Sequence, residues 1–207
     1  MKITNLPSGP LAVNTYLVED ETTKTGFIVD PGGYNPKLTK QIAGEGIDIE
    51  YIILTHGHSD HIGGVSQHKE ELPHAKVVAD EAEVPMLADA RMNMSAMMGG
   101  PVTLTPDLTV KDGDTLKVGN MELTFLHTPG HSPGGMCIVV GNAVFSGDTL
   151  FCQSIGRTDF PGCSFNDLAE SIRTKLYVLP DNMQVFPGHM GPTEIGQEKE
   201  SNPFVRP

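Results

Sequence analysis

Four apolar residues, Tyr51-Ile52-Ile53-Leu54, run directly into Thr55-His56-Gly57-His58-Ser59-Asp60-His61. An apolar run this short suits a buried strand rather than a helix, so three imidazoles and a carboxylate fall on a tight loop at a strand end. Imidazole nitrogen and carboxylate oxygen are the donors that Zn²⁺ and Fe²⁺ take. At this chain's own histidine and aspartate frequencies, an H-x-H-x-D-H string arises by chance in roughly one chain in a thousand. One loop cannot complete two metal sites. The string therefore asks for a fold that gathers several strand ends at one edge.

Three further strand ends meet that demand. His131 follows the strand Glu122–His127 through Thr-Pro-Gly, Asp148 follows Ala143–Ser146 through one glycine, and His189 follows Met183–Phe186 through Pro-Gly. Glycine beside each candidate ligand lets the backbone turn sharply and approach an ion closely. The other strand candidates are Lys2–Asn5, Val13–Glu19, Gly26–Asp30, Lys76–Ala79, Leu108–Val110, Thr115–Val118 and Met136–Val140. Helical patterning covers about Pro36–Ala43, Val65–Glu71 and Glu81–Ala88. A late helix starts at a Ser164/Asp167 capping box and carries an apolar stripe of Phe165, Leu168, Ala169, Ile172 and Leu176. Strands thus come in two groups, each flanked by helices, which suggests an α/β fold built as a four-layer α/β/β/α sandwich. With no internal repeat and no linker, residues 1–207 read as a single domain.

Charge and hydropathy narrow the partners. Fourteen basic against 26 acidic residues give a net charge of −12, which argues against broad nucleic-acid or anionic-membrane binding. The longest apolar run, Met136–Val140, is far too short to span a bilayer. The opening MKITNLPSGP lacks the apolar segment of a secretory leader. Cys137, Cys152 and Cys163 are odd in number and lack CxxC spacing, so free thiols in a reducing, cytoplasmic setting are expected. Oligomeric state leaves no mark in the sequence.

The set THGHSDH, HTPGHSPGG, FSGDTLF and PGH, with VDPGG at Val29–Gly33, resembles the metallo-β-lactamase superfamily. Within it, SIGRTDFPG at Ser154–Gly162 and GPTEIGQEKESNPF at Gly191–Phe204 are most similar to the compact glyoxalase II-like hydrolases. The resemblance implies the metallo-β-lactamase fold and two divalent ions, Zn²⁺ first, with Fe²⁺ or Mn²⁺ accepted by the same donors. His56, His58 and His131 would hold one ion, and Asp60, His61 and His189 the other, with Asp148 bridging. It also implies hydrolysis of an acyl-thioester by a hydroxide held in the dinuclear centre, with Asp60 orienting that nucleophile. Two divalent ions against Asp60, Asp148 and the hydroxide leave a positive residue of charge that suits an anionic or carbonyl-bearing small molecule.

Two other readings stay open on the same residues. GRTDF is shared with persulfide dioxygenases, which use a single iron, and the dinuclear set also serves lactonases and phosphodiesterases. Longer glyoxalase II enzymes add a helical C-terminal region that grips glutathione. Only 18 residues follow His189 here, so the resemblance does not extend to that thiol. Arg157 is placed to pair with a substrate carboxylate, and an internal pair with Asp159 is the competing use. Met86, Met92, Met94, Met97 and Met98, followed by Gly99-Gly100-Pro101, would form either a flexible apolar cap, a dimer contact or filler beneath a loop. His68 and His74 read as solvated, and His127 as a structural hydrogen-bonding group.

Overall fold

The computed structural model describes residues 1–98 and 100–207; Gly99 lies outside them. Within the described residues, β1 (Lys2–Asn5), β2 (Tyr16–Asp20), β3 (Thr25–Val29), β4 (Asp48–Ile53), β5 (Lys76–Asp80) and β6 (Leu108–Val110) form one sheet in that order. The second sheet contains β7 (Thr115–Val118), β8 (Met121–His127), β9 (Met136–Val140) and β10 (Ala143–Gly147). After a small ribbon of β11 (Leu150–Phe151) and β12 (Ser154–Ile155), it is completed by β13 (Gln184–Pro187) and β14 (Thr193–Glu194).

Alternation along the strands builds three separate apolar cores. Tyr16, Val18, Phe27, Val29 and Ile53 join Leu123, Phe125, Ile138 and Phe145 between the sheets. Their neighbours Leu17, Ile28 and Ile52 point the other way, packing with Leu38 and Ile42 of α1 (Pro36–Glu45). On the far face of the second sheet, Cys137, Val144 and Val185 meet Leu168, Ile172 and Leu176. Side chains of successive strand residues emerge on opposite faces, so three cores require four layers, and the α/β/β/α sandwich expected from the sequence is the observed architecture. Each fully buried Phe, Leu or Ile contributes about 1.5–3 kcal/mol, and such residues stand in both the inter-sheet core and the core facing α1.

Strand direction decides where the loops go. β3, β4, β5 and β6 are mutually parallel. In the second sheet β9 is antiparallel to both β8 and β10, and β10 is parallel to β13, so β8, β10 and β13 point the same way. The loops after β4, β8, β10 and β13 therefore leave from one edge of the sandwich. Two hydrogen bonds close that edge across the sheets: Tyr16 Oη donates to the Pro187 carbonyl at 2.7 Å, and the Met136 N–H to the Thr55 carbonyl at 2.8 Å.

Several elements differ from the sequence expectation. β4 begins at Asp48 rather than Tyr51, because parallel pairing with β3 starts at Thr25. The expected Glu81–Ala88 helix is a 3₁₀ turn over Glu81–Glu83 followed by a short helix over Val84–Leu87. The histidine loop itself contains a helical turn, Ser59–Ile62, and Val65–Glu71 is helical as expected. The late helix is capped as expected, Ser164 Oγ accepting from the Asp167 N–H at 3.2 Å, and Ile172–Leu176 continues it in π-helical form. Phe165 leaves the apolar stripe and is exposed. The final helix, Ile195–Ser201, was not anticipated. It is pinned by buried Glu198, whose carboxylate accepts from Thr193 Oγ1, Asn202 Nδ2 and the Gln153 N–H.

Candidate metal centre

All seven sequence-selected donors converge at the edge formed by the four strand ends. His56, His58 and His131 place one ring nitrogen each within 4.8 Å of one another, and Asp60, His61 and His189 form a second such group. Asp148 stands between the groups. Its Oδ1 lies 3.3 Å from His61 Nε2, and its Oδ2 lies 3.5 Å from His131 Nε2 and 3.8 Å from His189 Nε2. This is the position that a bridging carboxylate requires.

Hydrogen bonds on the outer side of the rings fix which nitrogen faces inward. His131 Nδ1 donates to the Arg157 carbonyl at 2.8 Å, leaving Nε2 for the centre. His61 Nδ1 donates to Asp30 Oδ2 at 2.9 Å, with the same result for its Nε2. Such outer partners set the tautomer and orientation of a metal-binding imidazole. His58 instead presents Nδ1, which lies 2.9 Å from His131 Nε2. With the His131 proton on Nδ1, its Nε2 accepts from His58 Nδ1–H here, and both nitrogens face the centre.

The fit of the donor set to metal ions rests on orphaned atoms. Among the described residues, His56 Nε2, His61 Nε2 and Asp148 Oδ1 are buried without a formed hydrogen bond, the last two facing each other at 3.3 Å. A buried polar atom without a partner costs about 1–3 kcal/mol, and three around one point are explained by cations coordinated there. Burial, reinforced by the neighbouring imidazoles, holds His56 well below the ordinary histidine range. It lowers His58 to about 4. These rings are neutral at pH 7, the form that ligates. Burial works against ionisation of Asp60 and Asp148 too, but the adjoining His61 and His189 outweigh it and keep both carboxyls below their usual range.

Glycine is required at two of the ligand positions. A Cβ on Gly188 would sit 2.5 Å from Asp148 Oδ1 and 2.6 Å from the His61 ring. Gly147 has φ +48°, and a Cβ there would collide with the Thr55 side chain.

Two buried carboxylates support the centre without having been singled out beforehand. Asp30, inside the VDPGG stretch, accepts from His61 Nδ1, from Thr55 Oγ1 at 2.6 Å and from the Thr55 N–H at 2.8 Å. Although it also lies within ligand distance of His56 and His61, these three donors occupy it, so it acts by holding His61. Glu83 accepts from the Gly57 N–H at 2.7 Å and the Gly134 N–H at 2.6 Å. It thereby ties the His56–His61 loop to the His131 loop. An acidic residue directly after an apolar strand was the available signal for Asp30; Glu83 gave none.

The remaining candidates sort clearly. Arg157 lines the cavity over the centre, but its guanidinium makes a two-point pair with Asp159 (2.9 and 2.8 Å) and lies 4.3 Å over the Phe160 ring. The internal pair is thus formed. His127 Nδ1 bonds Asp80 Oδ2 at 2.9 Å, a structural contact. His74 is exposed as expected, whereas His68 is fully buried, its Nε2 accepting from the Asn35 N–H at 3.3 Å. Its ring packs against the Tyr34 ring, centroids 5.2 Å apart, and with Val65 it forms the buried side of an otherwise polar helix. All three cysteines are free. No helix among the described residues is long and apolar enough to cross a membrane.

Residues 8–189 match the sequence model of the Metallo-beta-lactamase superfamily. A Bacillus subtilis protein named probable metallo-hydrolase YqgX is 39% identical over 99% of this chain and 98% of its own length. Hydroxyacylglutathione hydrolase GloC of Haemophilus influenzae is 34% identical, with 99% and 98% covered. Among solved structures, the BLEG-1 B3 metallo-beta-lactamase superposes with a TM-score of 0.92 at 36% identity, covering 99% of both chains. TTHA1623, in a di-iron-bound form, gives 0.84 at 33% identity over 98% of this chain and all of that one.

Proposed function

Since the chain belongs to the metallo-beta-lactamase superfamily, we propose that it is a dinuclear metallo-hydrolase that cleaves acyl-thioesters. The observation that carries this is the convergence of seven donors around three buried, unpartnered atoms, His56 Nε2, His61 Nε2 and Asp148 Oδ1. His56, His58 and His131 would hold one ion and Asp60, His61 and His189 the other, with Asp148 placed between the two groups. Seven donors exceed what one four-coordinate ion takes, which favours two ions over a mononuclear oxygenase site. Zn²⁺ is our first assignment, and the di-iron form of TTHA1623 supports iron as the alternative. Divalent ions held there polarise a carbonyl and bring the pKa of water toward neutrality.

The chain's own residues do the positioning. Asp60 Oδ2 lies 3.2 Å from His189 Nε2 and faces the cavity of about 410 Å³ above the centre. From there it orients the attacking water. Phe151 and Phe160 line the same cavity and give it an apolar wall. Arg157 stands at its rim, where exchange of Asp159 for a substrate carboxylate would recruit it. Thioesters as the substrate class are supported by the GloC relative, whose name gives it a glutathione thioester. The fold likeness to BLEG-1 favours a second reading, a cyclic amide or ester, which a lactam and lactone panel tests directly.

Substitution of His58 or Asp148 by Ala tests the proposal. Each is expected to lower thioester hydrolysis at least 100-fold while far-UV circular dichroism stays unchanged. Hydrolysis near the wild-type rate in either variant overturns it.

A further inference from the structure

Beside His58 lies a second cavity of about 560 Å³, which Asp60 does not line. Its wall is made by Met86, Met92, Met94 and Met97 with Pro133 and Phe160. The metal-centre cavity shares His58, Met94 and Phe160 with it, so the two volumes adjoin at the reacting position. Its size falls within the range of small-molecule pockets.

The methionines are not filler. Met86 is buried, but Met92 is 47% and Met97 75% exposed. Met94 adopts φ +68°, a left-handed conformation that carries a conformational cost for a side chain of this kind. The segment is held in place by polar bonds beneath it. Asn93 Nδ2 donates to the Val102 carbonyl at 2.8 Å, and the Val102 N–H to Ser95 Oγ at 2.8 Å. A braced turn therefore holds unbranched, polarisable side chains against an open apolar volume. Methionine adapts its shape to flexible alkyl groups. The lining includes one formally charged side chain, Arg91, which is exposed.

We propose that this cavity is an acyl subsite and that the substrate class is a thioester of a medium-length, uncharged alkyl acid. The inference rests on the thioester hydrolase reading for the placement of the carbonyl at His58. The alkyl chain then runs from the centre between Phe160 and Met94 into the methionine-lined volume. A small hydroxyacyl group would leave that volume unfilled.

Binding without turnover separates the two claims. Octanamide and acetamide, both uncharged and unreactive here, are titrated into the metal-loaded protein by calorimetry. Six additional methylenes entering an apolar pocket should tighten binding by at least about 100-fold, with a negative heat-capacity change. Met97→Glu and Met92→Glu, at positions exposed enough to spare the fold, should each weaken octanamide at least tenfold. Val178→Glu, exposed and outside both cavities, should leave it unchanged. Equal binding of octanamide and acetamide, or octanamide affinity untouched in both methionine variants, overturns the subsite. If octanamide binds as described while no thioester is hydrolysed, the subsite stands and the hydrolase reading fails. If octanoyl and acetyl thioesters of one common thiol turn over with equal kcat/KM, the hydrolase reading stands and the subsite fails.

Discussion

Asp30 Oδ2 accepts the Nδ1 proton of His61 at 2.9 Å, and both side chains are buried from solvent. This pairing connects the end of β3 with the helical turn that carries Asp60 and His61. Asp30 is also saturated by the Thr55 hydroxyl and N–H, so one carboxylate fixes the start of the histidine loop and the orientation of its last ligand. Loss of an outer partner of this kind typically lowers metal affinity 10–100-fold. Asp30→Asn should show a decrease of about that size in competition with a chromophoric chelator. Unchanged affinity would mean that His61 is oriented by something else.

Glu83 makes a different kind of link. Its two oxygens satisfy the N–H groups of Gly57 and Gly134, which lie in separate ligand loops. Glu83→Ala leaves both donors buried and unpaired, at about 1–3 kcal/mol each. Urea unfolding should report a loss of about 2–6 kcal/mol, and Glu83→Gln should lose less because its amide oxygen still accepts from one N–H.

Acid sensitivity should appear where the sheets are joined. Asp20, at the end of β2, accepts from the Asn120 N–H at 2.7 Å and the Thr22 N–H at 3.0 Å, and these bonds lower its pKa to about 2. A lowered carboxylate pKa stabilises the fold above the ordinary value near 4 and ceases to do so as pH falls through the folded value. The stability gap between wild type and Asp20→Asn should therefore be constant from pH 7 to about 5 and close between about 4 and 2. Denaturant melts across that range check it; a gap that widens with acid contradicts the assignment.

Gly188→Ala tests the crowding at the centre. Its Cβ would press on Asp148 Oδ1 and the His61 ring, so metal occupancy should drop by at least half in purified protein. Gly191→Ala, where a Cβ meets nothing within 4 Å, should retain full occupancy.

The sandwich was legible because strand alternation and apolar runs report burial directly. Leu17 and Val18, adjacent in sequence, do enter different cores. The convergence of the seven candidate donors was legible for a separate reason, since each stands at a strand end beside a turn-forming glycine or within one dense string. Glu83 was not legible, because its partners are backbone N–H groups 26 and 51 residues away that any residue type supplies. His68 was misjudged from an otherwise polar helix, as nothing local reveals that Tyr34 covers it. The methionine segment showed its composition but not its exposure, and exposure is what distinguishes a pocket wall from filler.

Metal stoichiometry tests the central claim most directly. Protein purified without chelator and dialysed against metal-free buffer is analysed by inductively coupled plasma mass spectrometry. The account predicts two divalent ions per chain in wild type, and at most one after Asp148→Ala. A wild-type protein that holds one ion per chain, even after incubation with excess metal, would contradict the dinuclear centre.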